Sequence, residues 1–201
     1  MRGAESRDKT KLLLHKEALR QQLLPQQPAL PASVATHAAV LVCCVITGEP
    51  YTVLTRRSMH LSMHAGQISL PGGRVDLCDA TLEATALRES QEEIGLDPHG
   101  LQLLGRLPDV RVNAGTGIAI TPIVAWCEAE PELVHNPYEV DEIIKLPLPL
   151  VLDTGNYGTD TLERDGISRQ FHFLRYQHHY IWGATARILL SLAELNQRIN
   201  Q

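Results

Sequence analysis

The 201-residue chain is 44% hydrophobic and 20% charged, which suits one globular domain with a full hydrophobic core and does not demand a second domain. Its formal net charge of -5 supplies no basic field, which argues against nucleic-acid binding as the main function. No signal peptide opens the chain, no run of about 18 apolar residues occurs, and the cysteines lack C-x-x-C spacing, so we expect a soluble cytoplasmic protein with reduced thiols and no membrane partner.

The N-terminal region predicts an amphipathic helix over residues 5–24, which packs on the core or on a partner. Its apolar residues, at mostly helical spacing, are Leu12, Leu13, Ala18, Leu19 and Leu23. Residues 24–31 contain three prolines, which break the helix and predict a linker. We therefore divide the chain into an N-terminal segment, 1–31, and a main domain, 32–201.

The first strands of the domain follow the linker. Residues 37–46 are nearly all apolar and favour β-structure, which predicts a strand covered on both faces. Gly48 and Pro50 then predict a turn into a second strand over residues 51–55.

Residues 54–73 form a patterned polar segment after the second strand. Arg56, Arg57, His60 and His64 supply cations or hydrogen-bond donors directly upstream of an acidic helix, where they could neutralise phosphates. The alternative interpretation is a surface loop with scattered basic residues.

Residues 72–96 combine a glycine turn, a helix and three carboxylates. Glu89, Glu92 and Glu93 stand at i, i+3 and i+4, so they share roughly a 100° arc of one helix face. Crowded like charges favour a bound cation, and hard oxygen ligands favour Mg²⁺ or Mn²⁺. The alternative is a solvated helix face.

The residues around these carboxylates favour the metal site. Arg88 lies four residues before Glu92 and can fix its orientation by an ion pair. Gly95 predicts the end of the helix, and Gly72 and Gly73 allow a sharp turn and a close backbone approach to a ligand.

The downstream segments complete a mixed sheet. Residues 101–107, 118–126 and 143–148 read as strands, with a loop over 108–117. Acidic residues precede the last of these strands in the loop over 135–142; they are Glu139, Asp141 and Glu142. Such acids are commonly just solvated.

The C-terminal part predicts a hairpin and a helix. Residues 153–181 alternate aromatic and polar side chains and include His172, His178 and His179. Paired histidines suggest zinc, but no cysteine or third ligand lies at a suitable spacing, so an exposed hairpin is favoured. Residues 183–199 predict a helix that covers one face of the sheet.

The glycine turn and acidic helix resemble the signature of the Nudix hydrolases, which reads glycine, five residues, glutamate, seven residues, then R-E-U-x-E-E-x-G-U with U aliphatic. The matching residues are Gly73, Arg88, Glu89, Glu92, Glu93, Gly95 and Leu96. The chain departs from the signature in having Asp79 for the first glutamate, one extra residue before Arg88, and Ser90 for an aliphatic residue. The resemblance implies an α/β fold, the α/β/α sandwich with a mixed sheet and a catalytic loop, helix and loop.

Residues 54–73 resemble the coenzyme A pyrophosphatase branch of that family, in the pattern L-T-x-R-S-x-x-L-x-x-H-x-G-Q-[IV]-x-[FL]-P-G-G. The D-x-x-D turn at Asp76 and Asp79, the longer spacing, and the segment Y-I-W-G-A-T-A from residue 180 resemble the same branch. The likeness covers roughly residues 36–192. Ser62 and Met63 stand where relatives often have basic residues, which implies weaker contact with the 3′-phosphate of coenzyme A.

The resemblance implies a metal-dependent hydrolase that cleaves the pyrophosphate bond of coenzyme A or an acyl derivative. It implies a catalytic set of Glu89, Glu92 and Arg88, and metal ligands for Mg²⁺ or Mn²⁺ at Glu89, Glu92, Glu93, Gly73 and Glu139. It implies substrate contacts at Arg57, His64, Gln67 and Arg74. The alternatives are a pyrophosphatase for another nucleoside diphosphate derivative, such as a dinucleotide or ADP-ribose, and a non-catalytic nucleotide sensor; a homodimer is left open.

Overall fold

We describe residues 14–26, 30, 36–112, 117–164 and 167–201 of a computed structural model of the chain. The helices are α1 (Lys16–Gln22), α2 (Leu82–Ile94), α3 (Leu148–Leu152) and α4 (Ala184–Ile199). The strands are β1 (His37–Val45), β2 (Tyr51–Arg57), β3 (Ile68–Ser69), β4 (Gly72–Arg74), β5 (Gln102–Arg106), β6 (Val110–Val112), β7 (Ile118–Cys127), β8 (Val140–Pro147), β9 (Tyr157–Arg164), β10 (Ile167–Tyr176) and β11 (His179–Trp182).

Two sheets are formed by the described strands. The larger is mixed and contains β1 to β8, with β1 parallel to β7 from the pair His37 and Ala119 to the pair Val45 and Cys127. Strands β2 and β4 pair antiparallel with β1, and β8 pairs antiparallel with β2. The smaller sheet is antiparallel, in the order β11, β10, β9.

The larger sheet lies between two hydrophobic cores. Leu41, Cys43 and Val45 of β1 face the core that includes Leu82, Ala86 and Ile94 of α2. The alternate residues Val42 and Cys44 face the opposite core, which α4 covers. Because side chains alternate across a strand, β1 is buried on both faces. This layering confirms the predicted α/β/α sandwich.

The terminal helices meet in the second core. Leu19 of α1 is 1% exposed and packs in the same cluster as Leu189 and Leu192 of α4, which confirms the helix predicted over residues 183–199. The chain after α1 also joins the main sheet, since Leu24 and Arg106 form an isolated antiparallel bridge. The predicted helix residues Leu12 and Leu13 lie outside the described residues, as do linker residues 27–29 and 31 and loop residues 113–116.

Several predicted segments differ from the structure, and the loop expected over residues 108–117 contains β6 (Val110–Val112). The strand expected to begin at Ile143 begins at Val140, so Glu142 lies in β8 rather than in a loop. Its charge is paired there with the opposite charge of Arg56, its cross-strand neighbour on β2. The hairpin expected over residues 153–181 is a three-stranded sheet, and His179 within it is buried rather than exposed.

Candidate active site

Helix α2 is fixed at both ends. The side-chain oxygen of Thr81 accepts a hydrogen bond from the Ala84 N–H at 3.1 Å, which caps the first turn. Gly95 takes the left-handed conformation, with φ 65°, and ends the helix as predicted. Ser90, which replaces an aliphatic residue, is buried, but its hydroxyl donates to the Ala86 carbonyl at 2.6 Å and so is satisfied inside the core.

The three carboxylates of α2 differ in exposure. Glu92 is exposed, Glu89 is partly buried, and Glu93 is only 2% exposed. Burial raises the pKa of Glu93 to about 7; the Gly72 N–H and Arg57 lower it, and the like charges of Glu89 and Glu139 raise it. Burial likewise raises the pKa of Glu89, which Arg88 lowers. In the metal-free protein the charged forms of Glu89 and Glu93 are therefore disfavoured, and a bound cation would stabilise them.

Arg88 orients two of these carboxylates and is itself held by Asp79. Its Nη1 donates to Glu89 at 2.9 Å and to Glu92 at 3.0 Å. Its Nε and Nη2 each donate to Asp79 at 2.9 Å, a bidentate pair that Thr85 reinforces through a 2.9 Å bond to the same carboxylate. Arg88 is the main cause of the low pKa of Asp79, which is about 2. The guanidinium thus has little freedom to rotate.

The glycine turn brings backbone against two carboxylates. The Gly72 N–H donates to Glu93 at 3.2 Å, and the φ of 145° at Gly72 favours glycine. A Cβ added at Gly73 would lie 2.4 Å from the Glu89 carboxyl carbon, so any side chain there would collide with that carboxylate. Backbone contacts and φ therefore require glycine at Gly72, and a side chain at Gly73 would displace the Glu89 carboxylate.

The polar segment after β2 closes back on Arg57. The Arg57 N–H donates to the Gln67 carbonyl at 2.9 Å, and the Gly66 N–H donates to the Arg57 carbonyl at 3.0 Å. His64 has a left-handed φ of 59°, and its Nδ1 lies 2.8 Å from Gln67 Oε1. Arg57 Nη1 lies 3.6 Å from Glu93 Oε1. The closed loop therefore begins and ends beside the acidic helix.

A second loop places Glu139 beside α2. The Asn136 N–H donates to the Glu93 carbonyl at 2.9 Å, so this hydrogen bond attaches the loop that contains Glu139 to the C-terminal end of α2. The Asn136 side chain donates to the Glu139 carboxylate at 3.2 Å, and the Ser58 N–H donates to the Glu139 carbonyl at 2.8 Å. The charge of Glu139 is close enough to raise the pKa of both Glu89 and Glu93.

Comparison with known proteins identifies the family. A model of the NUDIX domain matches residues 35–158. An uncharacterized Nudix hydrolase NudL from Klebsiella pneumoniae is 40% identical over 172 residues, which cover 86% of this chain and 88% of that protein. The chain belongs to the Nudix family. A second protein of that description, from Salmonella newport, is 37% identical over 186 residues, 92% of this chain and 96% of the relative.

Solved structures similar to this Nudix hydrolase share less sequence with it. A C. elegans Ap4A hydrolase is 19% identical, with a TM-score of 0.48, and the match covers 56% of this chain and 80% of that chain. The Nudix hydrolase RenU from M. Smegmatis is 22% identical with a TM-score of 0.47, and the match covers 62% of this chain and 78% of that chain.

No helix among the described residues is long and apolar enough to cross a membrane.

The donor chemistry of the site fits a hard divalent cation. Four carboxylates line this site, those of Glu89, Glu92, Glu93 and Glu139, and the pKa values of Glu89 and Glu93 are raised in part by the charges of their neighbours. A divalent ion would relieve that repulsion, and carboxylate and carbonyl oxygens are the ligands that Mg²⁺ and Mn²⁺ prefer. Nudix hydrolases generally use such ions.

The structure places the predicted site residues on three segments that meet at α2. It brings together the carboxylates, Arg88, Gly73 and Arg57, with His64 and Gln67 paired in the closed loop. Arg74 differs: its carbonyl accepts from Arg88 Nη2 at 3.4 Å, while its side chain is exposed, so its proposed substrate contact remains a prediction.

Two supporting residues were absent from the predicted site. The sequence predicts Asp79 as a departure from the family signature and as part of the D-x-x-D turn, but not as the bidentate partner of Arg88. Asn136, which orients Glu139, carries no motif. The D-x-x-D turn is the available signal for Asp79, because an aspartate nine residues before an arginine reaches it only if a turn brings the two side chains together. That turn exists: Asp79 accepts from the Asp76 N–H at 2.8 Å.

Proposed function

We propose that this Nudix hydrolase cleaves the pyrophosphate bond of coenzyme A or an acyl derivative, giving 3′,5′-ADP and a 4′-phosphopantetheine. The observation that carries the proposal is the loop over residues 58–67. Its sequence resembles the coenzyme A pyrophosphatase branch, and its closure on Arg57 sets a guanidinium beside Glu93 at the acidic helix.

In this proposal Glu89, Glu92 and Glu93 hold Mg²⁺ or Mn²⁺, with the Gly73 carbonyl as a further ligand. When bound, the ion would neutralise charge on the phosphoryl oxygens and lower the pKa of a water molecule. Glu139, from the second loop described above, contributes a fourth carboxylate, either as a ligand of the ion or as a base toward the water molecule. Arg88 does not need to touch the substrate, because it acts by holding Glu89 and Glu92.

The substrate side of the site consists of Arg57, His64, Gln67 and Arg74. Arg57 would pair with a phosphate of the bound substrate and balance the carboxylates across from it. The His64 and Gln67 side chains, held to each other at 2.8 Å, would present a fixed pair of polar groups to the nucleotide. Ser62 and Met63 are exposed and uncharged, so the loop offers no cation there for the 3′-phosphate.

The proposal is tested by comparing kcat/KM for coenzyme A, dephospho-coenzyme A, ADP-ribose, NADH and diadenosine compounds under one set of conditions. We expect coenzyme A to be the best substrate and dephospho-coenzyme A to be cleaved within about tenfold of it, a difference under about 1.4 kcal/mol. Faster cleavage of ADP-ribose or a diadenosine compound than of either would contradict the coenzyme A assignment. A thousandfold preference for coenzyme A over its dephospho form would show that another cation, such as Arg56 or Arg74, reads the 3′-phosphate.

A further inference from the structure

Glu142, His178 and His179 form a cluster of ligand-type side chains that the hydrolytic site does not use. One potential ligand atom from each residue lies within 4.8 Å of the other two. The Nε2 of His179 is 3.5 Å from Oε1 of Glu142, and the ring centroids of the two histidines are 4.0 Å apart. His179 is 6% exposed, Glu142 is partly buried and His178 is exposed, so the cluster is open to solvent on one side.

The turn between β10 and β11 explains why two adjacent histidines act together. Neighbouring side chains in a strand point to opposite faces of the sheet. Here Gln177 takes a left-handed φ of 52°, and His178 lies in the turn while His179 begins β11. Both rings can therefore approach Glu142, which comes from the larger sheet.

The separation of His179 Nε2 and Glu142 Oε1, 3.5 Å, is longer than that of a direct charge-assisted pair. A charge-assisted hydrogen bond between His179 and Glu142 would be about 2.7–2.9 Å long. Two ligands bound to one tetrahedral Zn²⁺ at about 2.0–2.2 Å lie about 3.3–3.6 Å apart. The observed 3.5 Å matches the second arrangement, and a potential ligand atom of His178 lies within 4.8 Å of both others.

Arg56 orients the carboxylate of this cluster. Its Nη2 lies 3.4 Å from Oε2 of Glu142, the oxygen not turned toward His179, so Oε1 is left for the histidine side. Such an outer partner fixes the direction of a carboxylate ligand. The positive charge of Arg56 also weakens the attraction for any cation, which favours ions that bind imidazole strongly over Mg²⁺.

We propose that Glu142, His178 and His179 bind Zn²⁺ or a similar imidazole-preferring divalent ion, separate from the carboxylate site on α2. Two imidazoles and one carboxylate are an established zinc donor set, whereas Mg²⁺ requires mainly oxygen ligands. Glu142 belongs to β8, His178 to the turn before β11 and His179 to the first position of β11. The bound ion therefore links the smaller sheet to an edge strand of the larger one.

The test uses full-length protein stripped with EDTA and then held in excess Mg²⁺, so that the carboxylate site does not take up the added ion. Titration with Co²⁺, followed by visible absorption, and with Zn²⁺, followed by the unfolding temperature, is done on the natural chain and on His178→Ala, Glu142→Gln and His99→Ala. His178 and His99 are both exposed, so their substitution leaves the core intact and the second serves as the matched control.

We expect the natural chain and His99→Ala to bind the ion with the same affinity, to develop the same Co²⁺ absorption and to unfold at a higher temperature with Zn²⁺. His178→Ala and Glu142→Gln should bind at least about 100-fold more weakly and lose the rise in unfolding temperature. Equal binding by the natural chain and His178→Ala would overturn the proposal. So would Zn²⁺ binding that is lost in Glu93→Gln and kept in His178→Ala, since the ion would then be in the carboxylate site.

Discussion

At the scale of single residues, Asp79 supports the active site without being one of its expected ligands. It fixes Arg88 by a bidentate pair, and Arg88 fixes Glu89 and Glu92. Asp79→Asn keeps the shape of the side chain and removes the charge. Because it acts through Arg88, we expect kcat to fall about 10- to 100-fold.

The measurement is steady-state hydrolysis of coenzyme A with saturating Mg²⁺, far below the unfolding temperature, because loss of a buried partner also lowers stability. Asp76→Asn is the matched control, since Asp76 is exposed and its side chain accepts from the Cys78 N–H rather than from Arg88. A kcat for Asp79→Asn equal to that of the control would show that Arg88 needs no such support.

Glu93 should also make the stability of the metal-free protein depend on pH. Burial raises its pKa from 4.5 to about 7, so between these values the folded protein holds a proton that the unfolded chain has released. The free energy of unfolding should therefore fall as pH rises from about 4.5 to about 7, by about 3 kcal/mol, with Glu89 acting in the same direction. The lowered pKa of Asp79 acts oppositely, but only below about pH 4.

Urea unfolding in EDTA at several pH values measures this dependence. Glu93→Gln cannot ionise and should have a flatter profile across the same window. Parallel profiles for the two proteins would mean that Glu93 is not the group responsible. Added Mg²⁺ should reduce the fall in the natural chain, because the ion stabilises the charged form.

At the scale of elements, β2 ends with two adjacent arginines, Arg56 and Arg57, whose side chains pair with different carboxylates. Arg57 lies beside Glu93, and Arg56 lies beside Glu142. If Arg57 pairs with a substrate phosphate, Arg57→Ala should lower kcat/KM for coenzyme A by about 2–3 kcal/mol, the range for a hydrogen bond to a charged group. Arg56→Ala removes the same charge from the same strand and should leave kcat/KM near the natural value. Equal losses in the two variants would point to general electrostatics rather than a contact.

The elements show which parts of the site the sequence could predict. The ends of α2 and the pairing of Arg88 with Glu92 follow from local spacing and capping, so they were predictable. The partners of Asp79 and Glu142 were not, because each depends on where a turn or a distant strand carries the side chain. The early start of β8 has the same cause: Arg56 of β2 supplies the opposite charge for Glu142 only after the strands have paired.

At the scale of the whole molecule, α1 belongs to the core under α4. Leu19 is buried in that core, whereas Leu24 is 48% exposed. Leu19→Ala should lower the free energy of unfolding by about 2–5 kcal/mol, the cost of a large cavity, in a single cooperative transition. Leu24→Ala is the control and should change it little. An unchanged transition in Leu19→Ala would mean that the N-terminal segment folds apart from the main domain.

The sandwich as a whole brings distant parts of the chain together at the candidate active site. The glycine turn, α2, the 58–67 loop and the Glu139 loop are joined to each other by backbone hydrogen bonds and ion pairs. Substitution of a carboxylate should therefore remove chemistry without loosening the fold. Glu92→Gln and Glu93→Gln should each lower kcat by about 10²-fold or more while still folding, if the ion provides several kcal/mol of transition-state stabilisation. Near-natural turnover in both variants would contradict the metal site.

The most direct test of the proposed activity is chromatographic analysis of the products formed from coenzyme A by EDTA-treated protein, before and after addition of Mg²⁺ or Mn²⁺. We predict no cleavage in EDTA, and stoichiometric 3′,5′-ADP and 4′-phosphopantetheine once the ion is restored. Cleavage that is indifferent to chelation, or products broken at any bond other than the pyrophosphate, would contradict the account.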